Sequence, residues 1–202
     1  MKPITLKVDN QPVEVEAGTT ILDAAKKVGV EIPTLCYMQE INAIGACRIC
    51  VVEVKGTKAL QPACVTPVAP GMEVHTNSTS VRKARNLTLE LILSNHPFEC
   101  LTCIRNQNCE LQSLAEAFGI REVRFPGENP PYKADYSSPS VIREPEKCIL
   151  CRRCVAVCDK VQTVNAVAPQ ERGFNTTVAP AHHRPMAESV CINCGQCTLV
   201  CP

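Results

Sequence analysis

The sequence has no tryptophan, and only three tyrosines and four phenylalanines in 202 residues. A chain so poor in large side chains has little with which to fill deep cores. Small domains with weak cores usually need a disulfide or a metal as a staple. No long apolar run is present, so no membrane-spanning helix is expected. The formal net charge is only +1, which gives no electrostatic footprint for nucleic acid. No GxGxxG, P-loop or Ser/His/Asp pattern appears, so nucleotide binding by this chain is unsupported. The opening MKPITLKVDN carries Lys2, Lys7 and Asp9 without an apolar segment. It does not read as a signal peptide, and a cytoplasmic protein is expected.

What the sequence does have is 15 cysteines. A reducing compartment favours metal ligation over disulfides, and an odd number cannot pair completely.

Along the chain, residues 1–78 read as a small mixed α/β unit. Ile4, Leu6 and Val8 alternate, then Val13, Val15 and Ala17, around the turn residues Asp-Asn-Gln-Pro. Thr20 offers an N-cap with Asp23 as capping-box partner, and Gly29 suits the helix end. Further strands are predicted around Ile49–Val54 and Met72–Thr76, giving a β-grasp arrangement. Residues 79–121 read as helical, with a core stripe of Val81, Ala84, Leu87 and Leu91. A second stripe holds Leu111, Leu114, Ala115 and Phe118 and is closed by Gly119. Residues 122–145 read as a linker, since Pro126, Pro130, Pro131, Pro139 and Pro145 forbid a regular helix. Residues 146–202 contain an internal repeat, CILCRRCVAVC and CINCGQCTLVC. The fold class predicted is α+β.

The repeat is the most specific signal. Cys148, Cys151, Cys154 and Cys158 follow C-x-x-C-x-x-C-x-x-x-C, and so do Cys191, Cys194, Cys197 and Cys201. This is the bacterial ferredoxin spacing for 4Fe–4S clusters, in which the fourth cysteine serves the other cluster. Three thiolates on one tight loop reach three irons of a cube, and the next cysteine points away. One cluster is therefore expected on Cys148, Cys151, Cys154 and Cys201, and the other on Cys191, Cys194, Cys197 and Cys158. Structural zinc also uses paired C-x-x-C, but two triplets with two spare cysteines fit four-coordinate zinc poorly.

The N-terminal set is Cys36, Cys47, Cys50 and Cys64. Plant-type 2Fe–2S proteins use C-x4-C-x-x-C and a distant cysteine. Here the first gap holds ten residues, so spacing alone leaves zinc open. Gly45 and Ala46 before the C-x-x-C support a cluster loop. The middle set, Cys100, Cys103 and Cys109, is one thiolate short, and His96 stands four residues before it. An imidazole in the fourth position tends to raise a cluster's potential, as in Rieske centres. The four sets use all 15 cysteines.

HPFECLTCIRNQNCEL, LCYMQEINAIGACRIC and the doubled ferredoxin motif together resemble the N-terminal electron-transfer region of iron-only (FeFe) hydrogenases. In particular they resemble the catalytic subunit of multimeric NAD(P)-linked, electron-bifurcating enzymes. The resemblance covers essentially the whole chain. It implies a 2Fe–2S cluster on Cys36, Cys47, Cys50 and Cys64, and a 4Fe–4S cluster on His96, Cys100, Cys103 and Cys109. It implies partner subunits that hold flavin, NAD(P) and further clusters, with ferredoxin as a further partner. The family's catalytic H-cluster lies beyond the ferredoxin domain, so function is expected to continue past Pro202. The same front end occurs in NAD-linked molybdenum or tungsten formate dehydrogenases and in the large subunit of respiratory complex I. The latter typically carries one cluster in its third domain, and two complete motifs argue against it.

With about +2 on each oxidised core, the loaded protein sits near −6 instead of +1. Arg48, Arg105, Arg152 and Arg153 lie inside ligand loops, where a cation stabilises a reduced cluster. His182 and His183, in a Pro-flanked stretch, read as loop histidines.

Overall fold

The alternation of Ile4, Leu6 and Val8 forms β1 (Ile4–Val8), and that of Val13 and Val15 forms β2 (Gln11–Val15). They pair antiparallel with Ile4 opposite Val15 and turn through Asp9 and Asn10, both at positive φ. Asp and Asn are the side chains that best tolerate that region. Ala17 falls in the turn beyond the strand. The structure is a computed structural model and describes residues 3–128 and 132–202. Lys2 of the opening segment, and Pro130 and Pro131 of the proline-rich stretch, lie outside the described residues.

Two compact units are present. The first is Met1–Tyr37 with Ala43–Leu89, and the second is Met38–Asn42 with Glu90–Pro202. In the first, α1 (Ile21–Lys27) starts at Thr20. Its hydroxyl oxygen accepts from the Asp23 N–H at 3.2 Å and donates to the Asp23 carboxylate at 2.7 Å. Gly29, at φ +76°, ends the helix, with its own N–H on the Lys26 carbonyl and the Val30 N–H on the Ala25 carbonyl. β3 (Val51–Val54), β4 (Gln61–Pro62) and β5 (Glu73–His75) complete a sheet of order β2-β1-β5-β3-β4, with β5 parallel to β1. A mixed sheet carrying a helix makes the fold α+β. Leu6, Val8, Ile21, Val52 and Val74 are each at most 1% exposed. Burial of each such side chain stabilises by about 1.5–3 kcal/mol. Cys50 and Cys64 belong to the same apolar cluster.

α2 (Thr79–Ser94) corrects the predicted stripe. Leu87 and Leu91 are exposed, and the buried residues are Val81, Arg85, Leu89, Glu90 and Leu93. Val81, Arg85, Leu89 and Leu93 follow i, i+4 spacing, but a hydrophobic template skips the arginine and picks a neighbouring stripe.

The second unit holds α3 (Glu110–Ala117), α4 (Arg153–Ala156), the ribbon β6 (Ala168–Gln170) with β7 (Thr177–Ala179), and α5 (Gln196–Leu199). Gly119 at φ +66° follows α3, with the Ile120 N–H on the Ala115 carbonyl. α4 runs directly into a π-turn, Val157–Val161, which contains Cys158. The proline-rich stretch carries no helix among its described residues before Pro145, yet it does more than connect. The Asp135 carboxylate accepts from the Met186 N–H at 2.8 Å. The Ser138 hydroxyl donates to Asn193 Oδ1 at 2.7 Å, and the Ser140 hydroxyl to the Asn193 carbonyl at 3.1 Å. Val141, Val167, Val178 and Met186 form a core against which Cys148, Cys154, Cys158, Cys191 and Cys197 pack. Among the described residues no helix is long and apolar enough to cross a membrane.

Candidate metal centres

The first unit brings Cys36, Cys47, Cys50 and Cys64 together. Cys50 Sγ lies 3.4 Å from Cys64 Sγ, and Cys36 shares side-chain hydrogen bonds with Cys47 and Cys64. Cys36, Cys50 and Cys64 are buried. Gly45 at φ +61° turns the chain so that the N–H groups of Ala46 and Cys47 meet the Cys36 sulfur. Donation from Cys47 foremost lowers the Cys36 thiol to about 2, and donation from Cys64 foremost lowers Cys50 to about 7. Contact with Cys36 raises Cys47 and Cys64 in turn. The four thiols share their protons through these contacts, and a cationic core bound here would take all four as thiolates.

His96 follows α2. Its Nδ1 lies 2.9 Å from the Pro97 carbonyl oxygen, which only accepts, so Nδ1 carries the proton and Nε2 presents a lone pair. Ligating histidines generally show this arrangement. Burial chiefly, and Lys147 in part, lower its pKa and favour the neutral ligand form. Cys100 opens a 3₁₀ turn, Cys100–Thr102. Cys109 caps α3, its sulfur accepting from the Gln112 N–H at 3.5 Å. The Gln112 side chain accepts from the Gln107 N–H and donates to Asn106 Oδ1, both at 2.9 Å, and so shapes the loop before Cys109. Spacing gave no signal for Gln112.

The repeat in sequence is a repeat in backbone. Leu150 and Asn193 occupy matching positions with φ of 55° and 56°. Arg152 and Gly195 do so with φ of 61° and 71° and precede α4 and α5. The Leu150 N–H donates to Cys148 Sγ and the Asn193 N–H to Cys191 Sγ, each at 3.4 Å. Burial raises Cys151 to about 11 and pushes Cys148, Cys154, Cys197 and Cys201 up. Cys154 also feels Cys148, Cys151 and Cys201, while Cys197 feels Cys191, Cys194 and Cys158. Cys158, Cys191, Cys194 and Cys197 line one cavity, walled by Val141, Val167 and Met186. Arg143, Arg153 and Arg105 offset the rise only in part at Cys148, Cys151 and Cys201, and thiols crowded in this way suit a cationic cluster core. No three His, Cys, Asp or Glu side chains close around a single-ion position among the described residues.

The loop arginines differ in role. Arg48 and Arg152 are exposed. Arg153 is buried and makes a bidentate pair with Glu110, at 2.6 and 2.8 Å. Arg105 donates to the Cys201 carbonyl at 2.8 Å. Cys201 also feels Cys109, and Lys147 feels Cys103, so the His96 set and the Cys148 set are neighbours within the second unit. His182 and His183 are exposed, and His183 stacks on Tyr132 at 5.1 Å between ring centres.

The chain is built of iron–sulfur cluster-binding domains. Residues 1–79 match the 2Fe-2S iron-sulfur cluster binding domain. Residues 85–124 match the NADH-ubiquinone oxidoreductase-G iron-sulfur binding region, and residues 147–202 the 4Fe-4S dicluster domain. It is homologous to the NADP-reducing hydrogenase subunit HndD of Solidesulfovibrio fructosivorans, with 48% identity over 208 aligned positions that cover 100% of this chain and 35% of the relative. It is 35% identical to the alpha subunit of the NADPH-Fe(3+) oxidoreductase of Geobacter sulfurreducens, over 98% of this chain and 23% of that one. It therefore spans about a third or less of these relatives. A chain in the crystal structure of an NAD+-reducing NiFe hydrogenase in the H2-reduced state superposes with TM-score 0.85 at 29% identity. That match covers 92% of this chain and 79% of the other.

Proposed function

We propose that this chain is a four-centre electron relay, with one 2Fe–2S and three 4Fe–4S clusters, that serves an NAD(P)-linked FeFe hydrogenase in the cytoplasm. The 48% identity to a hydrogenase subunit over the full chain carries this reading. Residues 1–78 form the 2Fe–2S domain, 79–121 the His/Cys domain, 122–145 a connecting strap and 146–202 the two-cluster domain. Iron–sulfur clusters supply one-electron transfer when bound. Cys36, Cys47, Cys50 and Cys64 hold the first, and His96, Cys100, Cys103 and Cys109 the second. Cys148, Cys151, Cys154 and Cys201 hold the third, and Cys191, Cys194, Cys197 and Cys158 the fourth. The proximity of Cys201 to both Cys109 and Cys197, each of which raises its thiol, supports a series in which the Cys148 site stands between the other two cubanes. Backbone N–H groups meet the sulfurs of Cys36, Cys148 and Cys191, and Cys36, Cys50, Cys64 and Cys151 are buried. Flavin- and NAD(P)-binding subunits and ferredoxin are the electron partners.

The test is iron, sulfide and zinc analysis with EPR of the chain purified in its native complex, plus hydrogen-dependent NAD(P) reduction. About fourteen irons per chain, one 2Fe–2S signal and hydrogenase activity are expected. Zinc in their place overturns the relay. A second reading, the relay of a formate dehydrogenase, is favoured by 31% identity to a putative formate dehydrogenase of Staphylococcus haemolyticus. Formate-dependent reduction without hydrogen activity selects it.

A further inference from the structure

Arg85 sits on the buried face of α2 in the first unit, 8% exposed. Its Nη2 donates to the carbonyl oxygen of Val51 at 2.9 Å, and Val51 directly follows Cys50. Its Nε–H is buried with no hydrogen-bond partner among the described residues. Burial works against its charge, while Cys50 and then Asp9 favour it. The Asp9 carboxylate is already engaged by the Thr76 N–H, at 2.8 Å, and by the Thr76 hydroxyl. An arginine remains ionised in proteins. A guanidinium out of water without a bidentate carboxylate is costly unless another anion faces it. Four thiolates around an oxidised 2Fe–2S core leave about −2, and about −3 after one electron enters.

We propose that Arg85 sets the reduction potential of the centre at Cys36, Cys47, Cys50 and Cys64 by holding a fixed positive charge, shielded from water, beside Cys50. The idea rests on the reading that these cysteines hold a 2Fe–2S cluster. One electron enters the centre, no bond or proton moves, and the attraction to Arg85 grows by one unit of charge. Arg85 touches the chain at Val51 and acts on the cluster through space, so it is a tuning residue and not a ligand.

The experiment is an EPR-monitored redox titration of the full protein, with dithionite as reductant, on wild type, Arg85→Lys and Arg85→Gln. Arg85→Gln is expected to weaken reduction of the 2Fe–2S centre about tenfold, a 59 mV fall for one electron. Arg85→Lys keeps the charge and stays near wild type, and the 4Fe–4S midpoints do not move. An unchanged midpoint in Arg85→Gln, or equal falls in both variants, overturns the proposal. Should Arg85→Gln fail to assemble, Asp9→Asn takes its place. Asn tolerates the φ of +46° there and removes the charge that opposes Arg85, so the midpoint should rise. No rise overturns the proposal. A wild-type protein without a 2Fe–2S signal defeats the underlying reading instead.

Discussion

At Gly45 two constraints act on one atom. The φ of +61° disfavours any L side chain, and an added Cβ would lie 3.1 Å from Val65 Cγ2. Gly45→Ala is expected to cost the first unit about 1–2 kcal/mol and to lower the 2Fe–2S EPR amplitude while the cubane signals hold. Thermal unfolding and EPR spin counting check it. Arg152 shows the converse. It bears a side chain at φ +61° where the matching residue of the second motif is Gly195. Arg152→Gly should stabilise by up to about 1 kcal/mol, read as a higher denaturant midpoint. Asp135 gives a pH-dependent case. Burial alone raises its carboxyl, but the Ser137 hydroxyl foremost, then the N–H groups of Ser137 and Met186 and the charge of Arg143, together hold it below its ordinary value of 3.8. A depressed folded pKa contributes stability above 3.8 that is lost as pH falls below it. Asp135→Asn should cost roughly 1.5–3 kcal/mol at neutral pH. Loss of visible absorbance in an acid titration then begins at higher pH than in wild type, and the gap closes below 3.8.

At the level of elements, the Arg153–Glu110 pair joins α4 to α3 with two bonds of 2.6 and 2.8 Å. Glu110→Gln leaves the buried guanidinium short of its counterion. A double-mutant cycle with Arg153→Met should return a coupling of about 1–3 kcal/mol. That contact was not legible in the sequence, because it joins residues 43 apart. What was legible is local. The β1–β2 alternation, the Thr20 cap, and Gly29 and Gly119 each express a preference of one or a few neighbouring residues. β4 is two residues long, too short for periodicity. The buried face of α2 was missed because Arg85 stands in it. The ten residues between Cys36 and Cys47 have a structural use that spacing does not convey. Within them Met38–Asn42 folds with the second unit, where Asn42 Nδ2 donates to the Cys151 carbonyl at 3.1 Å. Cysteine spacing tells which thiols share a loop. It does not tell that Leu150 and Arg152 adopt left-handed conformations, since nothing in those side chains asks for them.

Across the whole molecule, the proposed crossing of the fourth cysteines makes a prediction that iron counting can read. Cys201→Ser should lose about four irons. Adding Cys151→Ala should remove no more, because the same centre is already gone. Adding Cys194→Ala to Cys201→Ser should instead remove about eight in total. The reverse pattern would place Cys201 with the second motif's own loop and refute the crossing.

The company that Cys201 keeps with Cys148, Cys151 and Cys154 also bears on how the protein is made. A ribosome adds about 5–20 residues per second. Cys201 therefore emerges about 2–9 s after Cys158. For that interval the nascent chain shows Cys148, Cys151, Cys154 and Cys158 without the cysteine proposed to join the first three, and four thiolates are a complete set for structural zinc. Fidelity of metal loading then depends on timing. Slowed translation between Cys158 and Cys201 should raise the zinc content of the finished protein at the expense of iron.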